Sequence, residues 1–133
     1  MKRIALIPCP VKDPESIWAT KAAEILIQSG AEVLFPFGML PEIQGAIPMF
    51  AESIYDECDC VVAFGGDGSL IAQALKAAQY GKALLGCNMG KVGYLAELEL
   101  NELAMLPRLL ANDFAIEERM VLAVTDHRGF IMP

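Results

Sequence analysis

The stretch Val61-Val62-Ala63-Phe64-Gly65-Gly66-Asp67-Gly68-Ser69-Leu70-Ile71 places the tightest constraint on how this chain can fold. Its apolar half shows no polar alternation, which predicts a strand covered on both faces, as in a parallel sheet. Three glycines around one aspartate then break the strand, and apolar residues at helical spacing follow from Ser69. Strand, tight turn and helix start therefore succeed one another with a carboxylate at the join. In an open α/β sheet, that join faces the ligand crevice.

The same grammar runs through the chain. Ile4 to Ile7 is a short apolar strand. Asp13 is placed to cap a helix, with Pro14 at its first position and Glu15 in its first turn. Trp18, Ala22, Ile25 and Leu26 form one core-facing stripe, and Gly30 ends the helix. Ala31 to Phe37 reads as a second strand, with Pro36 suggesting a sheet edge.

Gly38 to Pro48 reads as a loop, Phe50 to Glu57 as a short helix, and Asp59 to Phe64 as the third strand. Ser69 to Tyr80 is predicted helical, with Leu70, Ile71, Ala74, Leu75 and Ala78 inward and Gly81 at its end. Ala83 to Cys87 is a fourth strand, and Asn88 to Ala96 a glycine-punctuated loop. Leu98 to Leu110 is helical, with an interruption at Pro107. Alternating strands and helices predict an α/β domain over residues 1–112, with a mostly parallel sheet, right-handed crossovers and helices on both faces.

The tail changes character. Phe114, Ile116, Met120, Leu122 and Val124 alternate with Glu117, Arg119 and Ala123, a strand pattern. Asp126 to Gly129 reads as a turn and Phe130-Ile131-Met132 as the start of a returning strand. Residues 113–133 are therefore expected to open a second, β-rich domain that is cut short at Pro133.

Composition narrows the partners. Apolar residues make up 55% and charged residues 20%, a core-rich globular balance. No apolar run approaches the roughly 20 residues that cross a bilayer, which argues against a membrane. Ile4 to Ile7 is followed too soon by Pro8, Pro10, Lys12 and Asp13 to be a signal peptide. A net charge of −7 with no basic stripe argues against nucleic acid. It leaves room for a nucleotide held by backbone N–H groups and a metal ion.

Cys9, Cys58, Cys60 and Cys87 lack C-x-x-C spacing, and Cys58 and Cys60 would share one strand face. Reduced, buried thiols of a cytoplasmic protein are expected.

Glycines at 65, 66 and 68 let backbone come close to a phosphate, and the helix that follows offers free N–H groups. Asp67 at that turn can cap the helix, hold Mg²⁺ that bridges phosphates, or accept a proton from a hydroxyl. A second glycine loop, Gly86-Cys87-Asn88-Met89-Gly90-Lys91-Val92-Gly93-Tyr94-Leu95, follows the next strand and should lie beside the first. Asn88 can contact a ribose or make an Asx-turn. Tyr94 can stack on a base or pack under its loop, and Lys91 can meet a phosphate or solvent. Neither the Walker loop nor the dinucleotide fingerprint fits these spacings.

Together the two loops resemble the NAD kinase family, whose pattern is a GGDG-[T/S] turn followed by G-x-N-x-G-x-L-G-F-L. Val92 and Tyr94 stand here for Leu and Phe. Glu117-Glu118-Arg119-Met120-Val121-Leu122 is similar to the E-x-R-M-x-L segment that opens the family's second domain. GGDG alone is shared with phosphofructokinases and with diacylglycerol and sphingosine kinases, whereas the second motif is far more specific.

The resemblance implies a phosphofructokinase-like, Rossmann-like N-terminal domain. It implies transfer of the ATP (or polyphosphate) γ-phosphoryl to the 2′-hydroxyl of the adenosine ribose of NAD, with Mg²⁺. Asp67 would be the general base, with Gly68 beside it. Gly65, Gly66 and Ser69 would shape the phosphate turn, and Asn88, Gly90 and Tyr94 would serve the dinucleotide. The family's N-[E/D] motif would lie past Pro133, and some members carry a basic residue where Ala72 stands. Residues 1–133 alone are therefore expected to be an incomplete, inactive kinase; apolar surface on the tail strand makes the whole protein an expected homo-oligomer. Another GGDG-type kinase and a non-enzymatic nucleotide-binding module remain the alternatives.

Overall fold

The computed structural model describes residues 1–38, 43–90, 96, 98–112, 124–125 and 131–132. Along the chain run β1 (Arg3–Ile7), α1 (Ile17–Gln28), β2 (Glu32–Pro36), β3 (Ile47–Met49), α2 (Ala51–Glu57), β4 (Cys60–Gly65), α3 (Asp67–Gln79), β5 (Ala83–Asn88) and β6 (Leu98–Glu99). A 3₁₀ helix over Leu100–Leu109 and two short strands, β7 (Val124–Thr125) and β8 (Ile131–Met132), complete the described elements.

Six strands form one sheet in the order β3-β2-β1-β4-β5-β6, every pair parallel. This is the doubly wound arrangement, in which the chain leaves β1 toward one side and β4 toward the other. The core divides accordingly. On one face Ile4, Leu6, Val62 and Phe64 pack against Ala19, Ala22, Ala23 and Leu26 of α1 and Leu103, Leu106 and Leu109 of the 3₁₀ helix. On the other, Ala5, Ile7, Val61 and Ala63 meet Ile54 and Tyr55 of α2 and Leu70 and Ala77 of α3. Every residue of β4 is buried, as its uninterrupted apolar run requires.

Several local expectations are corrected. Helix α1 begins at Ile17, so Pro14 and Glu15 lie before it. Asp13 still caps it at a distance, its carboxylate accepting from the N–H groups of Ile17 and Trp18 at 2.9 and 3.0 Å. Trp18 is half-buried against the core, with Lys21 Nζ 4.6 Å from its ring centre. At the other end of α1, Gly30 and Ala31 donate back to Ile27 and Leu26, closing the helix with a paired-bond cap. Gly81 and Lys82 close α3 in the same way, onto Ala78 and Ala77.

Pro36 does not mark an edge, because β2 lies between β1 and β3. It is the last residue of its strand, and the ladder bypasses it through the Phe37 N–H, which donates to Met49 O at 2.6 Å. The edge on that side is β3, which begins inside the stretch read as loop and ends one residue past it, at Met49.

Helix α3 starts at Asp67, two residues earlier than Ser69. Leu70 and Ala77 are buried and Gln73, Ala74 and Leu75 half-buried, while Ile71 and Ala78 are exposed. Cys58 and Cys60 lie on opposite faces of the sheet, because Cys58 ends α2 rather than continuing β4. All four cysteines are buried and unbridged, and burial pushes the Cys60 thiol up to about 12.

Leu98 and Glu99 form a parallel edge strand, and the helix that follows is 3₁₀, with Pro107 inside it. Strands β7 and β8 pair antiparallel in a separate sheet, the hairpin expected of the tail. No helix among the described residues is long and apolar enough to cross a membrane. Met39 to Glu42, Lys91 to Leu95 and the segment from Asp113 to Ala123, with the Glu117 to Leu122 pattern, lie outside the described residues.

Candidate functional site

In a sheet of this order the chain diverges between β1 and β4, leaving a crevice outside their carboxyl ends. Three loops meet there, those following β1, β4 and β5.

The β4 turn is built by sterics. Gly65 ends β4 at φ +151°, and a Cβ on it would stand 2.7 Å from Ser69 Cβ, so no side chain fits. Gly66 is the extended N-cap of α3, and its carbonyl accepts the first helical bond, from Leu70 N–H at 3.0 Å. Asp67 is thus the first helical residue, where the positive end of the helix dipole favours a carboxylate. It is half-buried, while Gly68 and Ser69 are exposed along the next positions of the turn.

The β5 loop is stitched to this turn. Gly65 and Asn88 are register partners, and Met89 N–H donates to Gly65 O at 3.0 Å. A Cβ on Gly90 would lie 3.5 Å from Gly66 Cα, so the two glycine loops touch backbone to backbone. Asn88 is 6% exposed. Its Oδ1 accepts from Gly90 N–H at 2.9 Å, the Asx-turn geometry, and its Nδ2 donates toward both oxygens of Glu99 at 3.3 Å. Glu99 and Glu102 form a capping box at the start of the 3₁₀ helix, the carboxylate of each accepting from the other's backbone N–H, which steadies the carboxylate that holds Asn88. Gly86 has a packing reason to be glycine, because a Cβ there would stand 3.0 Å from Leu70 Cδ1.

Gly65, Gly66, Asp67, Gly68, Ser69, Asn88 and Gly90 therefore share one end of the sheet. Tyr94 and Lys91 lie outside the described residues. An open groove of about 370 Å³ runs along the β5 end of this edge, lined by Asn88, Met89, Gly90, Glu99, Leu100 and Asn101.

Two residues carry no motif signal and emerge only from the fold. Glu99 orients Asn88. Lys12, in the loop after β1, brings Nζ within 3.4 Å of where a Gly66 Cβ would be and 3.7 Å of where a Gly90 Cβ would be. The signal for Lys12 was its place just after a buried strand, which matters only once β1 is known to adjoin β4.

Among the described residues no cluster of three or more His, Cys, Asp or Glu could hold a metal ion. A single carboxylate at the turn suits Mg²⁺ that arrives on a nucleotide's phosphates, where one or two carboxylates suffice. The arrangement can thus seat an oxyanion against backbone N–H groups with one carboxylate at hand.

Comparison with known proteins agrees with the geometry. Residues 15–114 match the family model of the ATP-NAD kinase N-terminal domain. The NAD kinase of Geotalea daltonii is 34% identical over 131 residues, covering 97% of this chain and 46% of that protein. That of Sulfurimonas denitrificans is 34% identical over 112 residues, or 84% of this chain and 36% of that protein. The NAD kinase of Desulforamulus reducens reaches 42% over 74 residues, 55% of this chain and 26% of that protein. The chain spans less than half the length of these curated relatives. It belongs to the NAD kinase family, matching the family's N-terminal α/β domain.

Proposed function

We propose that this chain forms the catalytic-turn half of an NAD kinase, which phosphorylates the adenosine-ribose 2′-hydroxyl of NAD. The observation that carries it is the joining of the two glycine loops at the switch-point crevice, with Asp67 opening α3 between them. Phosphoryl transfer asks mainly for positioning, charge neutralisation and one proton acceptor, and this site is built for those tasks.

In the reaction, the Asp67 carboxylate takes the 2′-hydroxyl proton as the ribose oxygen bonds to the γ-phosphorus of ATP. The bond from that phosphorus to the β,γ-bridging oxygen breaks, and ADP leaves. The exposed amides of the α3 N-terminus face the phosphates, and Gly68 lets the ribose approach the helix backbone. Gly65, Gly66 and Ser69 shape the turn. Gly90 and Tyr94 serve dinucleotide binding, and Asn88 contacts the dinucleotide through the Oδ1 lone pair that Gly90 leaves. The Asp67 carboxylate is kept as the proton acceptor, with Mg²⁺ arriving on the nucleotide's phosphates. When bound, that ion supplies charge neutralisation of the transferring group.

The same proposal extends to the whole protein. Residues 113–133 open a β-rich second domain, and the rest of the dinucleotide site, with the N-[E/D] motif, lies past Pro133. Residues 1–133 by themselves form no NADP, and the complete protein self-associates in the cytoplasm, where its buried thiols stay reduced. Polyphosphate is the alternative donor.

The test uses the full natural polypeptide with NAD, diacylglycerol and fructose 6-phosphate as acceptors. NADP formation is expected, and Asp67→Asn should lower it by about 10²-fold or more while nucleotide affinity stays within about threefold. Phosphorylation of another acceptor in preference to NAD, or full activity of Asp67→Asn, would refute the assignment.

A further inference from the structure

We infer that Lys12 is a phosphate-binding residue of this site, supplied by the loop after β1 and acting across the switch point. The inference rests on the nucleotide-kinase reading above.

The loop that carries Lys12 is pinned at both ends. Cys9 O accepts from the N–H groups of Lys12 and Asp13 at 3.2 and 2.8 Å, and Asp13 is locked onto the start of α1. Lys12 itself is exposed, and its ammonium stands beside Gly66 and Gly90, 3.4 and 3.7 Å from where a Cβ on each would be. Among the described residues, Lys12 Nζ has no ion-pair or hydrogen-bond partner. A Cβ at either glycine would stand in ordinary contact with Nζ and screen it; glycine leaves it open.

Charge placement makes Lys12 distinctive. Lys2 and Arg3 stand at the amino end of β1, and Lys82 just before β5. Lys21, Lys76 and Arg108 belong to helices. Of the described lysines and arginines, Lys12 alone sits in a loop at the carboxyl edge of the sheet. In a chain of net charge −7, a polyanionic ligand needs such a local cation beside the α3 N-terminus. The shared chemistry is that of linked phosphates, found in ATP, in the pyrophosphate of NAD and in inorganic polyphosphate.

The test is binding of ATP, NAD, inorganic tripolyphosphate and adenosine by the full natural polypeptide at low and high salt. Lys12→Met should weaken the phosphate ligand that Lys12 serves by about tenfold at low salt, with less effect at high salt. Adenosine binding should be unchanged, Lys12→Arg should recover most of the loss, and Lys76→Met should match wild type. Whichever of ATP, NAD and tripolyphosphate loses affinity identifies the ligand. Wild-type affinity of Lys12→Met for all three would overturn the role of Lys12 while leaving the kinase reading intact. Equal loss for adenosine would also overturn it, as a structural effect. A wild-type protein that binds none of them and forms no NADP would sink the kinase reading first, and Lys12 with it.

Discussion

Gly65 and Met89 are joined across neighbouring strands, the Met89 N–H donating to the Gly65 carbonyl at 3.0 Å just where both chains leave the sheet. This bond makes one surface of two glycine-rich loops. Around it the glycines differ: steric exclusion at Gly65 and packing against Leu70 at Gly86, whereas a Cβ at Gly66 or Gly90 would make only ordinary contacts.

Gly65 should be the least replaceable of them. At φ +151° with Ser69 Cβ 2.7 Å from its would-be Cβ, Gly65→Ala is expected to cost about 1–3 kcal/mol. Ser69→Gly in the same background should return only part of this, since it relieves the contact and not the dihedral. Urea midpoints of the single and double variants measure both terms, and an undiminished midpoint for Gly65→Ala would contradict the geometry.

Gly68 behaves oppositely. It lies within α3, has no positive φ, and nothing stands within 4 Å of a Cβ built on it. The fold gives no reason for a glycine here, although glycine costs a helix about 0.5–1 kcal/mol relative to alanine. Gly68→Ala should therefore stabilise the chain by about that amount while weakening nucleotide binding by about tenfold in the full natural polypeptide, through the space a ribose needs. Denaturant titration and nucleotide titration of one variant decide the matter. A more stable protein with unaltered affinity would remove Gly68 from the site.

Asp59 ties the start of β1 to that of β4. The backbone N–H groups of Arg3 and Lys2 donate to its Oδ2 at 2.8 and 2.7 Å, which holds its carboxyl below the usual range. A depressed folded-state pKa adds stability that is complete above the unfolded-state value of about 3.9 and fades as pH falls through the folded value. Asp59→Asn should cost about 1 kcal/mol at pH 7, reduced from the full charge-assisted value because the group is exposed to solvent. The gap between variant and wild type should close below about pH 4. A gap that persists at pH 2 would assign the effect to something other than ionisation.

Local chemistry made much of this molecule legible from its residues. The unbroken run Val61 to Phe64 demanded a doubly covered strand, and Gly30 and Gly81 closed their helices. At the end of the period-two tail, Val124–Thr125 pairs antiparallel with Ile131–Met132. Asp67, with the glycines around it, could be picked out because strand, turn and helix start are written in neighbouring residues.

Strand order lies beyond that reach. It follows from which apolar faces can be buried together and from the hand of each crossover, contacts between residues far apart in the chain. That is why Pro36 pointed to an edge that belongs to β3, and why Cys58 and Cys60 parted to opposite faces. It is also why Lys12, unremarkable beside Pro10 and Asp13, came to rest on Gly66 and Gly90 only when β1 and β4 lay side by side.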